Sequence, residues 1–228
     1  MGSIIMKIEE LEARLKILEA KFRISQDIEE IEKLQRAYGY YIEHWMSDEL
    51  IDLFADVPDV AIHLIGLGTF LGPKHVRQFF KNDMGKNPEF LHQVMQSSGI
   101  VTVDPDGKTA RGRWNGWGVL AIPQGGGVTQ EFLGGMYEND YIKQDGKWKI
   151  KIARHIPTYY AVPGKGFVKP ERVAAIDPNY VAEDHMKPDI PDTIKPVYPS
   201  GYILPFSFKH PVTGKETNER KWNASLGM

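Results

Sequence analysis

The chain has 228 residues and is 42% hydrophobic, which is enough apolar content to bury a core and excludes a disordered protein. Its formal net charge is −2 and its basic residues are scattered, which argues against nucleic acid as a partner. It contains no cysteine, which excludes disulfides, thiolate metal sites and a cysteine nucleophile, and favours a cytoplasmic location. No apolar run reaches the roughly 20 residues of a membrane helix, and the N-terminus has no signal-peptide pattern.

The first predicted helix carries a heptad pattern. Apolar residues recur at spacings of three and four, with charged residues between them: Ile8, Leu11, Leu15, Leu18 and Phe22. We expect residues 1–26 to form a helical arm. The pattern leaves two partners open, which are a helix of a second subunit and the arm's own domain.

Two further helices are predicted next. Asp27 and Glu30 have the spacing of a capping box, so a second helix should begin at Asp27 and bury an apolar face that includes Tyr38. Gly39 is a poor residue for a helix interior and would permit a bend. A short third helix should begin at Ser47.

The middle of the chain reads mainly as strands. Residues 60–72 predict two short strands around a glycine turn, and residues 73–84 predict a helix entered through a proline. Four longer strands should follow, over residues 92–104, 109–122, 131–144 and 147–156. Helices followed by antiparallel strands predict an α+β domain. By strict alternation, one face of the last strand should hold Trp148, Ile150, Ile152 and Arg154.

The C-terminal residues 163–228 are rich in proline. This composition predicts an extended segment that wraps the domain. Residues 201–208, GYILPFSF, are too aromatic for a free linker, so we expect them to lie against the domain or a neighbouring subunit.

Familiar catalytic motifs are absent from the sequence. It has no glycine-rich nucleotide loop, no HExxH and no GxSxG, and its histidines lack metal-ligand spacing, so no cofactor or metal is expected. The residues left to do chemistry are proton-handling groups, namely Tyr38, Glu43, His92 and Arg154.

Five segments occur in an order that resembles a known family. They are residues 27–56, 66–80, 91–93, 106–113 and 134–150, of which the last, GGMYENDYIKQDGKWKI, is the most specific. In this order they resemble SnoaL-like proteins of the nuclear-transport-factor-two-like superfamily, over residues 27–160. The resemblance implies a cone-shaped barrel in residues 27–162, in which a strongly bent antiparallel sheet and three to four helices enclose a cavity.

The resemblance also implies roles for the candidate catalytic residues. In dehydratase-like members, an acid near the end of the long helix pairs with a histidine at the start of a later strand. Glu43 and His92 match these positions, although the family usually has aspartate where Glu43 stands. Such a pair would make His92 a general base. Tyr38 would exchange a proton with a substrate hydroxyl, and Arg154 would hold a developing anion.

The expected activity is that of a cofactor-independent lyase acting on a hydroxylated aromatic substrate. Aromatic residues and one histidine should form the substrate-binding wall: Phe70, Trp114, Trp117, Tyr137 and His155. Within the family, the composition resembles lyases that convert lignin-derived diarylpropane diols to stilbenes with loss of water and formaldehyde. Two alternatives remain, which are a polyketide or steroid dehydratase or isomerase, and a non-catalytic binding or dimerisation module. A homo-oligomer, dimer or trimer, without nucleic-acid or membrane partners is expected.

Overall fold

The computed structural model describes residues 2–82, 84–124, 127–164, 187–192 and 208–215. The helices are α1 (Gly2–Glu43), α2 (Ser47–Asp52) and α3 (Gly72–Phe80), and a 3-10 turn spans Met84–Lys86. The strands are β1 (Ala61–Leu64), β2 (Gly68–Leu71), β3 (Leu91–Val103), β4 (Thr109–Gln124), β5 (Gly127–Gln144), β6 (Lys147–Ala161) and β7 (Ile190–Pro191).

These strands form one curled sheet in the order β3-β4-β5-β6-β1-β2-β7. Neighbouring strands run antiparallel, except that β1 pairs with β6 in parallel. The α+β prediction is confirmed, as are the four long strands, the two short strands and the helix entered through Pro73.

The hydrophobic core lies between the helices and the inner face of the sheet. Each helix contributes apolar side chains, and the strands contribute alternate residues: Ile31, Tyr38, Leu50, Phe54, Val76, Phe80, Trp114, Tyr137 and Ile150. Burial of this aromatic and aliphatic surface is the main favourable term in folding. It also presses the C-terminal half of α1 onto β3 and β6.

The first helix is continuous from Gly2 to Glu43, so the prediction of a separate helix beginning at Asp27 is wrong. The Asp27 carboxylate does not cap a helix. It is buried, where it accepts hydrogen bonds from Lys143 Nζ and from Trp148 Nε1 at 2.9 Å. The polar capping pattern therefore reflects a tertiary contact between α1 and the sheet. No helix among the described residues is long and apolar enough to cross a membrane.

The helix runs through Gly39 without ending there, which makes this glycine a test of helix propensity. An added Cβ would meet only the Gln96 side chain, at 3.9 Å. Gly39→Ala should therefore stabilise the protein by about 0.5–1 kcal/mol, since alanine loses less backbone entropy in a helix. The measurement is urea unfolding followed by circular dichroism. An unchanged or lower midpoint would show that the glycine serves a close contact instead.

Only part of the predicted C-terminal extension lies within the described residues. Strand β7 pairs with β2, and Asp192 Oδ2 accepts a hydrogen bond from Gly66 N at 3.0 Å and lies 3.3 Å from His63 Nε2. Asp189 binds Leu71 N and His75 in the same region. The described residues 187–192 thus lie along the sheet edge. Residues 201–207 are outside the described part of the chain, so the predicted packing of GYILPFSF remains a prediction.

Candidate active site

Strand register brings two histidines and a carboxyl group to the inner face of the sheet. His92 on β3 is paired with Leu120 on β4, which is paired in turn with Glu131 on β5. Further along β5, Tyr137 is paired with His155 on β6. Residues paired across neighbouring strands share a face of the sheet. The inner face therefore carries His92, Glu131, Tyr137 and His155 together.

Two extra residues in β6 decide which of its side chains point inward. Ile150 and Ile152 pair with consecutive residues of β5, so Lys151 is an unpaired bulge residue. After this bulge, the side chains of β6 that would have pointed inward point outward, and the others point inward. The prediction that Arg154 shares a face with Trp148 and Ile150 is therefore wrong, and His155 takes the inward position instead.

Arg154 is held on the other face of β6. Its Nη2 lies 2.7 Å from Asp140 Oδ2, and its Nη1 donates to the Glu138 carbonyl at 3.4 Å. Asp140 also pairs with Arg111 at 3.5 Å. The guanidinium thus serves an ion-pair network outside the inner face, although the sequence predicted that it would bind a substrate anion.

His155 is the more enclosed of the two histidines on the inner face. It is 9% exposed, and its ring lies against Tyr137 and Tyr160 with centroid separations of 5.0 and 6.3 Å. Its Nε2 is buried and has no hydrogen-bonding partner among the described residues. Burial, and to a smaller extent the charge of a protonated His92, lower the pKa of His155 to about 3. The imidazole is therefore neutral, with an enclosed polar nitrogen available to a ligand.

His92, near the start of β3, also has an enclosed ring nitrogen. It is half-buried as a whole, but its Nδ1 is enclosed and has no partner within the described residues. Its ring meets Trp45 edge to face, with centroids 6.2 Å apart. Burial lowers the pKa of His92 to about 4, so this imidazole is also neutral near pH 7.

Trp45 owes its place beside His92 to the way α1 ends. Trp45 N donates to Ile42 O and Met46 N donates to Tyr41 O, which is the hydrogen-bond pattern of a Schellman motif. Trp45 itself adopts φ 48°, a left-handed conformation that glycine usually occupies. Its Nε1 donates to Phe80 O at 3.1 Å, which fixes the ring against α3. The strained turn is retained because the indole packs there.

The structure does not bring Glu43 and His92 together as the expected pair. Glu43 is the last residue of α1, and its Oε1 accepts a hydrogen bond from Gln93 Nε2 at 3.2 Å. Gln93 directly follows His92 in β3, so the two side chains point to opposite faces. Among the described residues, no hydrogen bond or ion pair joins Glu43 to His92.

Tyr38 lies deep in the site. It is 4% exposed and meets Phe54 and Tyr137 edge to face, with centroids 6.3 and 6.4 Å apart. Burial raises the pKa of Tyr38 well above its usual value, and it raises the pKa of Tyr137 and Tyr160 as well. The three phenols therefore keep their protons and can donate hydrogen bonds throughout the neutral range.

Two of the predicted wall residues, Phe70 and Trp117, lie elsewhere, and a third, Trp114, is engaged by another residue. Phe70 is buried against Phe79 under α3, at a centroid distance of 5.0 Å. Trp114 is paired with Tyr137 and so shares the inner face, but its Nε1 donates to the Tyr141 hydroxyl at 3.0 Å within a buried polar network. Trp117 is 50% exposed on the outer face of the sheet. Because Trp114 and Trp117 are three residues apart in a strand, they could not both have faced a cavity.

Two residues of the inner face were not predicted. Glu131 is half-buried, and burial raises the pKa of its carboxyl group. Its signal was present in the sequence, since it alternates with Leu133 and Tyr137. Tyr160 lies five residues after His155, and simple alternation would place the two side chains on opposite faces. Thr158 is a second unpaired residue in β6, which returns Tyr160 to the inner face. Within the described residues, no three carboxylate or histidine side chains cluster as a metal site.

Comparisons with solved structures show the same architecture. A scytalone dehydratase candidate from Novosphingobium aromaticivorans DSM 12444 is similar at a TM-score of 0.53 with 19% identity, covering 62% of this chain and 91% of the other. Hexachlorocyclohexane dehydrochlorinase LinA-type3 from Novosphingobium barchaimii LL02 is similar at 0.53 with 17% identity, covering 66% and 99%. At these identities the likeness concerns the fold alone.

Comparisons at the level of sequence identify the family. No curated protein is similar enough to count as a match. The model of the SnoaL-like domain matches residues 23–154, which is more than half of the chain. This range runs from α1 through the first half of β6 and includes every candidate catalytic residue named from the sequence. The chain therefore belongs to the SnoaL-like domain family.

Proposed function

We propose that the protein is a cofactor-independent lyase that eliminates water, formaldehyde or both from a hydroxylated aromatic substrate. The observation that carries this proposal is the pair of neutral imidazoles on the inner face, each with an enclosed nitrogen that has no partner in the described part of the chain. Unpaired buried polar groups are costly and tend to mark sites completed by a ligand. Membership of the SnoaL-like family supports the same class of chemistry.

His92 and His155 act as the proton acceptors in this proposal. Their lowered pKa values keep both rings in the accepting form at neutral pH. A weak base gains strength when an anion develops beside it, because the anion stabilises the imidazolium. Loss of a hydroxyl group from a phenolic substrate produces such a negative charge as the phenol gives up its proton.

The buried phenols supply hydrogen bonds and walls. Tyr38 and Tyr137 remain protonated, so each can donate to a departing hydroxyl group or to a phenolate oxygen. Their rings, with Phe54 and Tyr160, give the inner face an aromatic lining that suits aryl groups. Glu43 and Arg154 are engaged by Gln93 and Asp140, so neither is assigned the proton transfer.

The specific substrate proposed is a 1,2-diarylpropane-1,3-diol with a para-hydroxyl group on the ring next to the benzylic alcohol. Loss of the benzylic hydroxyl as water, with loss of the phenolic proton, gives a quinone methide. An imidazole then takes the proton of the primary alcohol, and the carbon–carbon bond to that carbon breaks. Its electron pair restores the aromatic ring, and the products are a stilbene, water and formaldehyde.

The test is an assay of the purified full-length protein with this diol. Formaldehyde should appear in equal amount with a stilbene absorbance in the near ultraviolet. The matched control substrate carries a methoxy group in place of the para-hydroxyl and should not react, because it cannot form a quinone methide. Loss of water without release of formaldehyde would show that the protein is a dehydratase and does not break the carbon–carbon bond. Consumption of a ketone-bearing polyketide or steroid in place of the diol would indicate the alternative chemistry.

Variants separate an enzyme from a binding module. His155→Gln and His92→Gln should each lower kcat/KM about a hundredfold or more, the usual range for loss of a general base. Binding of a substrate analogue without the benzylic hydroxyl, measured by calorimetry, should change much less. Glu43→Gln is the control and should retain near-normal turnover. If Glu43→Gln abolished turnover and the histidine variants did not, the assignment of the base would be wrong.

A further inference from the structure

Residues 7–26 of α1 form an exposed helical segment that precedes the packed part of the helix. Every side chain from residue 7 to residue 26 is exposed, and burial begins only at Asp27. Large apolar side chains on this segment are exposed, and five of them, with exposures between 50% and 65%, recur at spacings of three and four: Ile8, Leu11, Leu15, Leu18 and Phe22. Ile17 and Ile24 are exposed as well but lie off this row. The sequence left two partners open for this segment. The first, the arm's own domain, does not cover residues 7–26 in the described part of the chain.

The five apolar residues form a single seam. Their spacings of three, four, three and four place Ile8, Leu15 and Phe22 at heptad position a, and Leu11 and Leu18 at position d. A solvated helix of this length, roughly 30 Å at 1.5 Å per residue, is marginal by itself. A helix with a continuous a/d seam is stabilised when a second helix covers that seam.

The charges beside the seam specify what that second helix is. Positions g carry Lys7, Arg14 and Lys21, and positions e carry Glu12, Glu19 and Gln26. In a parallel pair of identical helices, each g residue meets the e residue five positions later on the other helix. Lys7 then faces Glu12, and Arg14 faces Glu19. In an antiparallel pair, g meets g and e meets e, so every contact between two charged residues would join like charges.

We infer that the seam formed by Ile8, Leu11, Leu15, Leu18 and Phe22 binds the same seam of a second copy of this chain, in a parallel two-stranded coiled coil. The arrangement is self-complementary, since each helix supplies both the basic and the acidic row. It also places both domains at the same end of the coiled coil. Because α1 continues without a break from the seam to Tyr38, the dimer holds the helix that lines the inner face.

The first experiment tests the seam in the full-length protein by sedimentation equilibrium. The double variant Leu15→Glu and Leu18→Glu should shift the protein from dimer to monomer. Ala13→Glu and Ala20→Glu introduce the same charges at the f positions, away from the seam, and should leave the dimer intact. The urea unfolding transition of the domain should be the same in both double variants, since neither touches the packed part of α1.

The second experiment tests orientation. Glu12→Lys with Glu19→Lys makes both oppositely charged g–e contacts of a parallel pair repulsive and should dissociate the pair. An antiparallel pair would exchange one like-charge contact for another and persist. Because the chain has no cysteine, Leu11→Cys introduces a single thiol. In a parallel coiled coil the two thiols meet at the seam and should form an intermolecular disulfide on treatment with diamide.

Cross-linking and the seam variants test this interface even if the protein also associates through another surface. Efficient cross-linking through Leu11→Cys, abolished by adding Leu15→Glu and Leu18→Glu, supports the parallel seam. Absence of the cross-link, or an assembly insensitive to both the seam and the charge variants, overturns it. A full-length protein that remains monomeric at millimolar concentration overturns it as well.

Discussion

Replacing Gly118 with alanine should destabilise the protein by about 4 kcal/mol or more, beyond the usual cost of overpacking. A Cβ at this position would lie 1.8 Å from the backbone oxygen of Gln93 and 2.7 Å from Val94 Cα. Both atoms belong to the backbone of β3, so no rotamer change can relieve the clash. The pairing of β3 with β4 would have to open where it positions His92.

The matched control is Gly127→Ala, at the start of β5, where an added Cβ meets nothing within 4 Å. Its effect should stay within about 0.5 kcal/mol. Urea unfolding of both variants, monitored by tryptophan fluorescence, gives the comparison. Any Gly118→Ala protein that still folds should also lose turnover in the diol assay. Equal stability of the two variants would mean that β3 and β4 are less closely paired than the structure shows.

Much of the fold could be predicted because local signals agree with the tertiary structure. Gly107, Asp145 and Gly146 adopt positive φ in two turns, and hairpins join β3 to β4 and β5 to β6 there. Alternation of apolar with polar residues indicated the four long strands. The break between helices at Asp27 was predicted wrongly, because a carboxylate that binds Lys143 and Trp148 across the domain looks in sequence like a cap.

The candidate site was less predictable, because single-residue bulges leave no clear mark in the sequence. Lys151 and Thr158 each add one residue to β6, and each reverses which side chains point inward. Counting in twos from Trp148 therefore gave Arg154 the position that His155 holds. Bulges near a site re-aim side chains in this way, so the error falls where the chemistry lies.

The partner of Glu43 could not be predicted from the family resemblance either. Spacing along α1 placed Glu43 correctly at the helix end, but its partner depends on which face of β3 it meets. It meets Gln93, the neighbour of His92. Among the described residues, no carboxylate forms a hydrogen bond with either His92 or His155, and burial keeps both imidazoles neutral.

Acidification from about pH 7 to about pH 5 should destabilise the protein by roughly 4 kcal/mol through these two histidines. The folded-state pKa values are about 4 for His92 and about 3 for His155, both below the ordinary value of 6.5. Below pH 6.5 the unfolded chain therefore binds protons that the folded protein does not. Stability must then fall as pH falls, until the folded-state pKa values are reached.

Each histidine contributes about half of that loss, since 1.5 pH units below the unfolded pKa correspond to about 2 kcal/mol per group. Glu131 acts in the opposite direction, because burial raises its pKa and protonation relieves the cost of burying its charge. The paired carboxylate of Asp59 would act only at lower pH, since its ordinary pKa of 3.8 is lowered. The window between pH 7 and pH 5 therefore reports mainly on the imidazoles.

Urea unfolding of the wild type and of His155→Gln across this pH range isolates one of the two groups. Glutamine does not titrate, so the variant should lose only about 2 kcal/mol, and the difference in stability between the two proteins should change by about 2 kcal/mol from pH 7 to pH 5. The direction is fixed, since the wild type must lose more than the variant. Parallel curves would place His155 in contact with water or with an acid, and the neutral-imidazole site would have to be abandoned.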